Sequence, residues 1–158
     1  MDTPTNDIIS SATHEGYAKL LDKAALICVS KHQDQRDKAG RAYFQHPMRV
    51  AMRCATDEEK IVALLHDTIE DTDVTPEYLL GEGFPRYIVD AVLSVTKKDG
   101  ESYEDFIARS KENSIGRKVK IHDLEDNLDV MRLDEVTPRM AARLTKYLKA
   151  IRTLKEGM

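Results

Sequence analysis

The chain has 158 residues, 41% hydrophobic and 33% charged, a length and balance suited to one domain with a buried core. Its net charge of -4 comes without a basic block, which argues against a duplex nucleic-acid binder but leaves room for a small anionic ligand. No apolar run approaches ~20 residues and the polar start, Met1-Asp2-Thr3-Pro4, lacks a signal peptide's features, so no membrane partner and a cytoplasmic location are expected.

In chain order, residues 1–13 read as a flexible N-terminal arm ahead of a domain over 14–158. From about His14 to Lys31, apolar Leu20, Leu21, Ala24, Ala25, Ile27 and Cys28 recur at helical spacing. Residues 32–46 break that pattern with charges and one glycine, which predicts a loop carrying binding groups. Pro47 suits the first turn of a helix to about Cys54. Thr56, followed by Asp57, Glu58 and Glu59, predicts a capped start for a central helix reaching about Glu70. Thr75-Pro76 starts a short helix that ends near Gly81 and Gly83, and Pro85 begins another through Ile88, Val89, Ala91, Val92 and Leu93. Ser102 with Asp105 predicts a cap for a helix over about 103–112. A further helix spans about 115–131, and Thr137-Pro138 opens the last one. With no alternating β-branched pattern, the expectation is an all-α single helical bundle of roughly six to eight helices. Cys28 and Cys54 lack metal-type spacing and read as free buried thiols.

The chemistry gathers in residues 61–72, where the apolar run Ile61-Val62-Ala63-Leu64-Leu65 delivers His66-Asp67, with Glu70-Asp71 close behind. On one continuous helix His66 and Glu70 would share a face, as would Asp67 and Asp71. Acids behind an apolar run are expected to be partly buried, and a buried carboxylate needs a cation or a proton. His46 just before one helix, His66-Asp67 within another and the apolar-flanked Asp123 within a third make two imidazoles and two carboxylates. That mixed nitrogen-oxygen set suits Mn, Fe, Zn or Ni better than Ca. Among the other histidines, His14 reads as incidental and His122 as structural. His32 reads as a solvated helix end, with substrate contact the other reading.

The ordered series His46, His66-Asp67 and Asp123 resembles the HD-domain metal-dependent phosphohydrolase superfamily. More specifically, His66-Asp67-Thr68-Ile69-Glu70-Asp71-Thr72 resembles the HDxxEDT segment of the RelA/SpoT alarmone hydrolase domains. Gly40 through Pro47 resembles their GxPYxxHP segment, Ser94-Val95-Thr96-Lys97 their GVTK segment, and Lys120 through Asn127 their KLADRxxN segment. The resemblance implies an all-α fold with one divalent ion, most often Mn, held by His46, His66, Asp67 and Asp123, with Glu70 and Asp71 in catalysis. No histidine stands between Asp67 and His122, which favours a mononuclear site over the binuclear HD enzymes. The implied reaction removes pyrophosphate from the 3′ position of ppGpp or pppGpp, leaving GDP or GTP. The implied partner is a small nucleotide. With no synthetase region after Met158, a stand-alone small hydrolase is expected; oligomeric state is left open.

By the same resemblance, Lys38, Tyr43, Asn127 and Leu133 contact the nucleotide, with Arg36 or Arg41 a candidate substitute cation. The family carries Arg-Lys-Ser where this chain reads Asp37-Lys38-Ala39, and Ala42 replaces its proline. Leu124 stands in place of an arginine, Asp126 of a histidine and Val130 of a threonine. An anion at 37 opposes phosphate and cannot stack as a guanidinium does. Another nucleotide therefore stays open as substrate: an adenosine alarmone, or one suited to a nucleotidase or phosphodiesterase.

Overall fold

The computed structural model describes the backbone from Asn6 to Met158 and the side chains from Glu15 onward. The expected arm over 1–13 and His14 lie outside the residues described through their side chains, while the helix expected from about His14 begins at Asn6. The elements are α1 (Asn6–Lys31), α2 (Gln45–Arg53), α3 (Asp57–Leu65), α4 (Thr68–Asp71), α5 (Pro76–Gly81), α6 (Arg86–Ser94), α7 (Tyr103–Glu112), α8 (Ser114–Asn127) and α9 (Pro138–Lys155). A single 3-10 turn, Val130–Arg132, follows α8. Among the described residues there is no strand, only one antiparallel bridge between Arg36 and Ala42.

Helix α3 is the axis of the bundle. Thr56 caps it by accepting from the Glu59 amide at 3.2 Å while its hydroxyl donates to the Glu59 carboxylate at 2.6 Å, so cap and N3 residue hold each other. Ile61 through Leu65 are all buried, so the helix is apolar all round and is surrounded by α1, α2, α6 and α8. Ile107, Ile121, Leu124, Ala150 and Leu154 form a second apolar cluster that joins α7, α8 and α9. Where α8 crosses α6, a Cβ at Gly116 would lie 1.9 Å from the Ser94 hydroxyl, so only glycine allows this approach. Cys28 and Cys54 are free and buried, as their spacing implied.

The largest departure from the predicted elements is in the central helix. It stops at Leu65 instead of running to Glu70, and the one-turn α4 resumes at Thr68. Asp67 has φ -103° and ψ 0°, outside helical geometry. Side chains take over carbonyls at the break. The Ala63 carbonyl, which the Asp67 amide would claim in an unbroken helix, accepts from the His66 ring Nδ1 at 2.5 Å. The Thr68 hydroxyl donates to the Leu65 carbonyl at 2.7 Å. The helix expected over about 115–131 likewise ends at Asn127, and Asp129 caps the 3-10 turn beyond it.

Candidate active site

His46 lies in the first turn of α2, not before the helix, and is nearly buried. His66 and Asp67 occupy the break between α3 and α4, and Asp123 lies buried on α8. Their donor atoms converge. His46 Nε2 is 2.9 Å from Asp123 Oδ1 and 3.8 Å from Asp67 Oδ2, while His66 Nε2 is 3.0 Å from Asp67 Oδ2 and 3.4 Å from Asp123 Oδ1. Bonds of roughly 2.1 Å to one ion put neighbouring donors about 3 Å apart, so this spacing fits a single divalent cation.

The tautomers agree with that use. The Ala63 carbonyl can only accept, so His66 Nδ1 carries the hydrogen, and in the neutral ring the lone pair lies on Nε2. That Nε2 is buried and makes no well-aligned hydrogen bond. His46 Nδ1 faces the Asp126 carboxylate at 2.7 Å, which turns its Nε2 lone pair toward the cluster in the same way. Burial disfavours charge on His66, but the Asp67 and Asp123 carboxylates outweigh it and hold its pKa well above the ordinary value. The cluster thus favours positive charge, which a divalent ion would supply.

Neighbours hold the donors in place. Arg49 reaches Asp126 with Nε at 2.9 Å and Nη2 at 3.1 Å. Lys120 donates to Asp123 Oδ2 at 2.8 Å, and Asn127 to Asp123 Oδ1 at 3.1 Å. The Tyr43 hydroxyl donates to Asp67 Oδ2 at 2.5 Å. In sequence Asp126 reads only as a departure from the resembled family, and Arg49 carries no motif at all. The signal lay in the spacing: Arg49 follows His46 by three, and Asp126 follows Asp123 by three, so each shares its partner's helix face.

Glu70 and Asp71 stand at the pocket rim, and with Asp67 they bring three carboxylate oxygens within 4.8 Å of one another. Glu70 Oε1 accepts the Lys97 amide at 2.5 Å. Desolvation by the pocket wall, with the charge of Asp67, raises the pKa values of both Glu70 and Asp71. His32, read as a solvated helix end, is instead buried against the Tyr43 ring with centroids 5.0 Å apart, its Nδ1 2.9 Å from Gln35 Oε1. Helix α1 stops short of it, and the loop through Tyr43 folds back over the ring. His122 pairs with Glu125 at 2.9 Å, away from the cluster.

A cavity of about 420 Å³ opens over these groups, lined among others by Arg36, Asp37, Lys38, Tyr43, Glu70, Asp71, Asn127, Leu133, Arg143 and Tyr147. Asp37 Oδ1 accepts the amides of Ala39 and Arg41, both at 2.9 Å, so this anion ties a tight turn. Gly40, at φ +78°, closes that turn, and Arg36 donates to its neighbour's carbonyl, Gln35 O, at 3.0 Å.

No family model matches the chain. It is 33% identical over 127 residues to a guanosine-3′,5′-bis(diphosphate) 3′-pyrophosphohydrolase of Aquifex aeolicus, covering 73% of this chain and 18% of that one. It is 32% identical over 114 residues to the bifunctional (p)ppGpp synthase/hydrolase SpoT of Escherichia coli K12, covering 68% and 16%. The fold matches a solved structure described as a metazoan ortholog of SpoT that hydrolyses ppGpp and plays a role in starvation responses. That match has a TM-score of 0.66 and 22% identity over 89% of this chain and 85% of the other.

The chain is an HD domain of the RelA/SpoT type.

The HD domain spans less than a fifth of the length of these two curated relatives. Its all-α bundle is the expected fold, with the central helix broken at the HD dipeptide itself. A divalent metal suits the family and the His/Asp cluster of this domain. Among the described residues, no helix is long and apolar enough to cross a membrane.

Proposed function

We propose that the HD domain over 14–158 is a metal-dependent 3′-pyrophosphohydrolase of a guanosine alarmone, converting ppGpp or pppGpp to GDP or GTP and pyrophosphate. The observation that carries this reading is the convergence of His46, His66, Asp67 and Asp123, with Glu70 and Asp71 on its open side. The names of the curated relatives support the substrate. In this reading the four residues hold one Mn²⁺. When bound, such an ion lowers the pKa of water and polarises a phosphoryl oxygen.

The side chains supply the remainder. Glu70 is held at one oxygen by the Lys97 amide and presents the other to the attacking water. Its raised pKa makes it a stronger base than an ordinary carboxylate. Asp71 orients that water or relays its proton. The water oxygen bonds to the phosphorus borne by the 3′ oxygen, the bond between those two atoms breaks, and the 3′ oxygen takes up a proton. Lys38, Tyr43, Asn127 and Leu133 line the nucleotide side, with Arg36 as an additional cation. A freely diffusing small nucleotide and a cytoplasmic setting complete the proposal.

One observation favours a second reading. Asp37 lies on the cavity wall where the resembled family carries an arginine. A different nucleotide, such as an adenosine alarmone, or a nucleotidase or phosphodiesterase reaction, would tolerate that change. A panel of ppGpp, pppGpp, ppApp and simple 5′-nucleotides with Mn²⁺ separates these. Pyrophosphate released from ppGpp is the expected result. Its absence from every 3′-pyrophosphorylated nucleotide overturns the first reading, and orthophosphate from 5′-nucleotides supports the second. Glu70→Gln should lose turnover while still binding Mn²⁺.

A further inference from the structure

The segment between α6 and α7 contains Lys97, whose amide holds Glu70, and it is fastened at Thr96, Lys98 and Glu101. The guanidinium of Arg109, on α7, makes four bonds, three to this segment and one to Leu93 at the end of α6. Its Nε and Nη2 donate to the two Glu101 carboxylate oxygens, each at 2.9 Å. Its Nη1 donates to the Leu93 carbonyl at 2.8 Å, and Nη2 also donates to the Thr96 carbonyl at 2.6 Å. Glu101 Oε1 in turn accepts the Lys98 amide at 3.1 Å. The residues on both sides of Lys97 are thus tied, directly or through one carboxylate, to the same guanidinium.

Two further bonds brace the segment. The Ser110 hydroxyl, next to Arg109 on α7, donates to the Ser94 carbonyl at 2.6 Å, and the Thr96 hydroxyl donates to the Val92 carbonyl at 2.8 Å. Within this frame the Lys97 amide points outward, onto Glu70. Arginine suits the task because one rigid planar fork satisfies a carboxylate and two carbonyls together, which the single ammonium of a lysine cannot reproduce.

We infer that Arg109 is a positioning residue for the hydrolysis: clamped with Glu101, it fixes the Thr96-Lys97-Lys98 segment so that the Lys97 amide holds Glu70 in its working orientation. The inference rests on the catalytic reading of Glu70. Arg109 donates within this loop frame, while the acids and histidines of the metal cluster have other partners. Its loss should therefore alter how fast bound substrate reacts and leave substrate and metal binding intact.

The test measures kcat, KM and Mn²⁺ affinity on the full chain with ppGpp, for Arg109→Lys in the wild-type and Glu70→Gln backgrounds. In the wild-type background, kcat should fall about ten- to a hundredfold, as misplacing a catalytic group by a fraction of an ångström to one ångström does. KM and Mn²⁺ affinity should stay within about twofold. In the Glu70→Gln background, the same substitution should cost less than about twofold, because its effect passes through the carboxylate already lost. An equal fall in both backgrounds, or a loss of thermal stability with kcat unchanged, overturns the inference. Where Arg109→Lys does not fold, Glu101→Gln serves in its place; a smaller kcat fall confined to the wild-type background supports the inference, and an unchanged kcat overturns it. An unchanged kcat in Glu70→Gln alone overturns the catalytic reading itself, which separates that failure from a failure of the clamp.

Discussion

Asp126 accepts hydrogen bonds from the His46 ring and from Arg49, with Arg132 a further 3.6 Å contact, and its side chain is closed to solvent. Burial pushes its pKa up, but the His46 and Arg49 bonds outweigh that and lower it to about 2. The ionised carboxylate holds a hydrogen on His46 Nδ1 and so turns Nε2 toward the cluster. Asp126→Asn should lower Mn²⁺ affinity about 10- to 100-fold, the usual cost of losing a carboxylate behind a ligating histidine. Calorimetric titration checks this, and unchanged affinity would show that His46 keeps its orientation without Asp126. The four proposed ligands were legible from residue type, order and apolar flanks. Asp126 was not: in sequence it reads only as a departure from the resembled family, and its partner lies 80 residues away.

At the scale of elements, the crossing of α6 and α8 at Gly116 offers a direct test. Gly116→Ala places a methyl against the Ser94 hydroxyl, which is itself bonded to the Ala91 carbonyl. Ala gains up to about 1 kcal/mol in helix propensity, while overpacking a filled contact costs about 1–3 kcal/mol. A net loss of roughly 1 kcal/mol in chemical denaturation is therefore expected, and a gain would mean that the helices separate freely. The loop clamped by Arg109 gives a pH signature. The Arg109 guanidinium lowers the Glu101 carboxyl from its ordinary 4.5 to about 2. A depressed carboxyl stabilises the fold fully above its unfolded value, and the benefit is lost as pH falls from about 4.5 through about 2. Thermal melts should show Glu101→Gln less stable than wild type at neutral pH, with the gap narrowing through that window; a constant gap would exclude the ion pair as its cause. Helix caps at Thr56, Thr75, Ser102 and Thr137 were readable because capping is local chemistry. The break at His66-Asp67 was not, because the His66 ring and the Thr68 hydroxyl take over carbonyls that a periodicity reading leaves to the helix.

For the molecule as a whole, an ion at the proposed metal cluster would couple binding to stability. Its donors come from α2, the α3–α4 break and α8, so an ion held there ties separate parts of the bundle together. Mn²⁺ at a hundredfold excess over its Kd should stabilise the fold by about 2.7 kcal/mol, a rise of roughly 5–10 °C in Tm for a domain of this size. Chelation should reverse it, and a Tm indifferent to Mn²⁺ and chelator would count against a site at this cluster. Composition, helical periodicity and local caps were enough to specify an all-α bundle, because those signals act over one or two turns. The spacing and order of His46, His66-Asp67 and Asp123 were enough to point to a metal, because few other arrangements accommodate acids behind an apolar run. The fold decided the rest: that the central helix opens at the HD dipeptide, that Asp126 and Arg49 support His46, and that Arg109 frames the amide on Glu70. These depend on groups from distant parts of the chain meeting at hydrogen-bond distance, and such meetings are set by packing, which leaves no local pattern in the sequence.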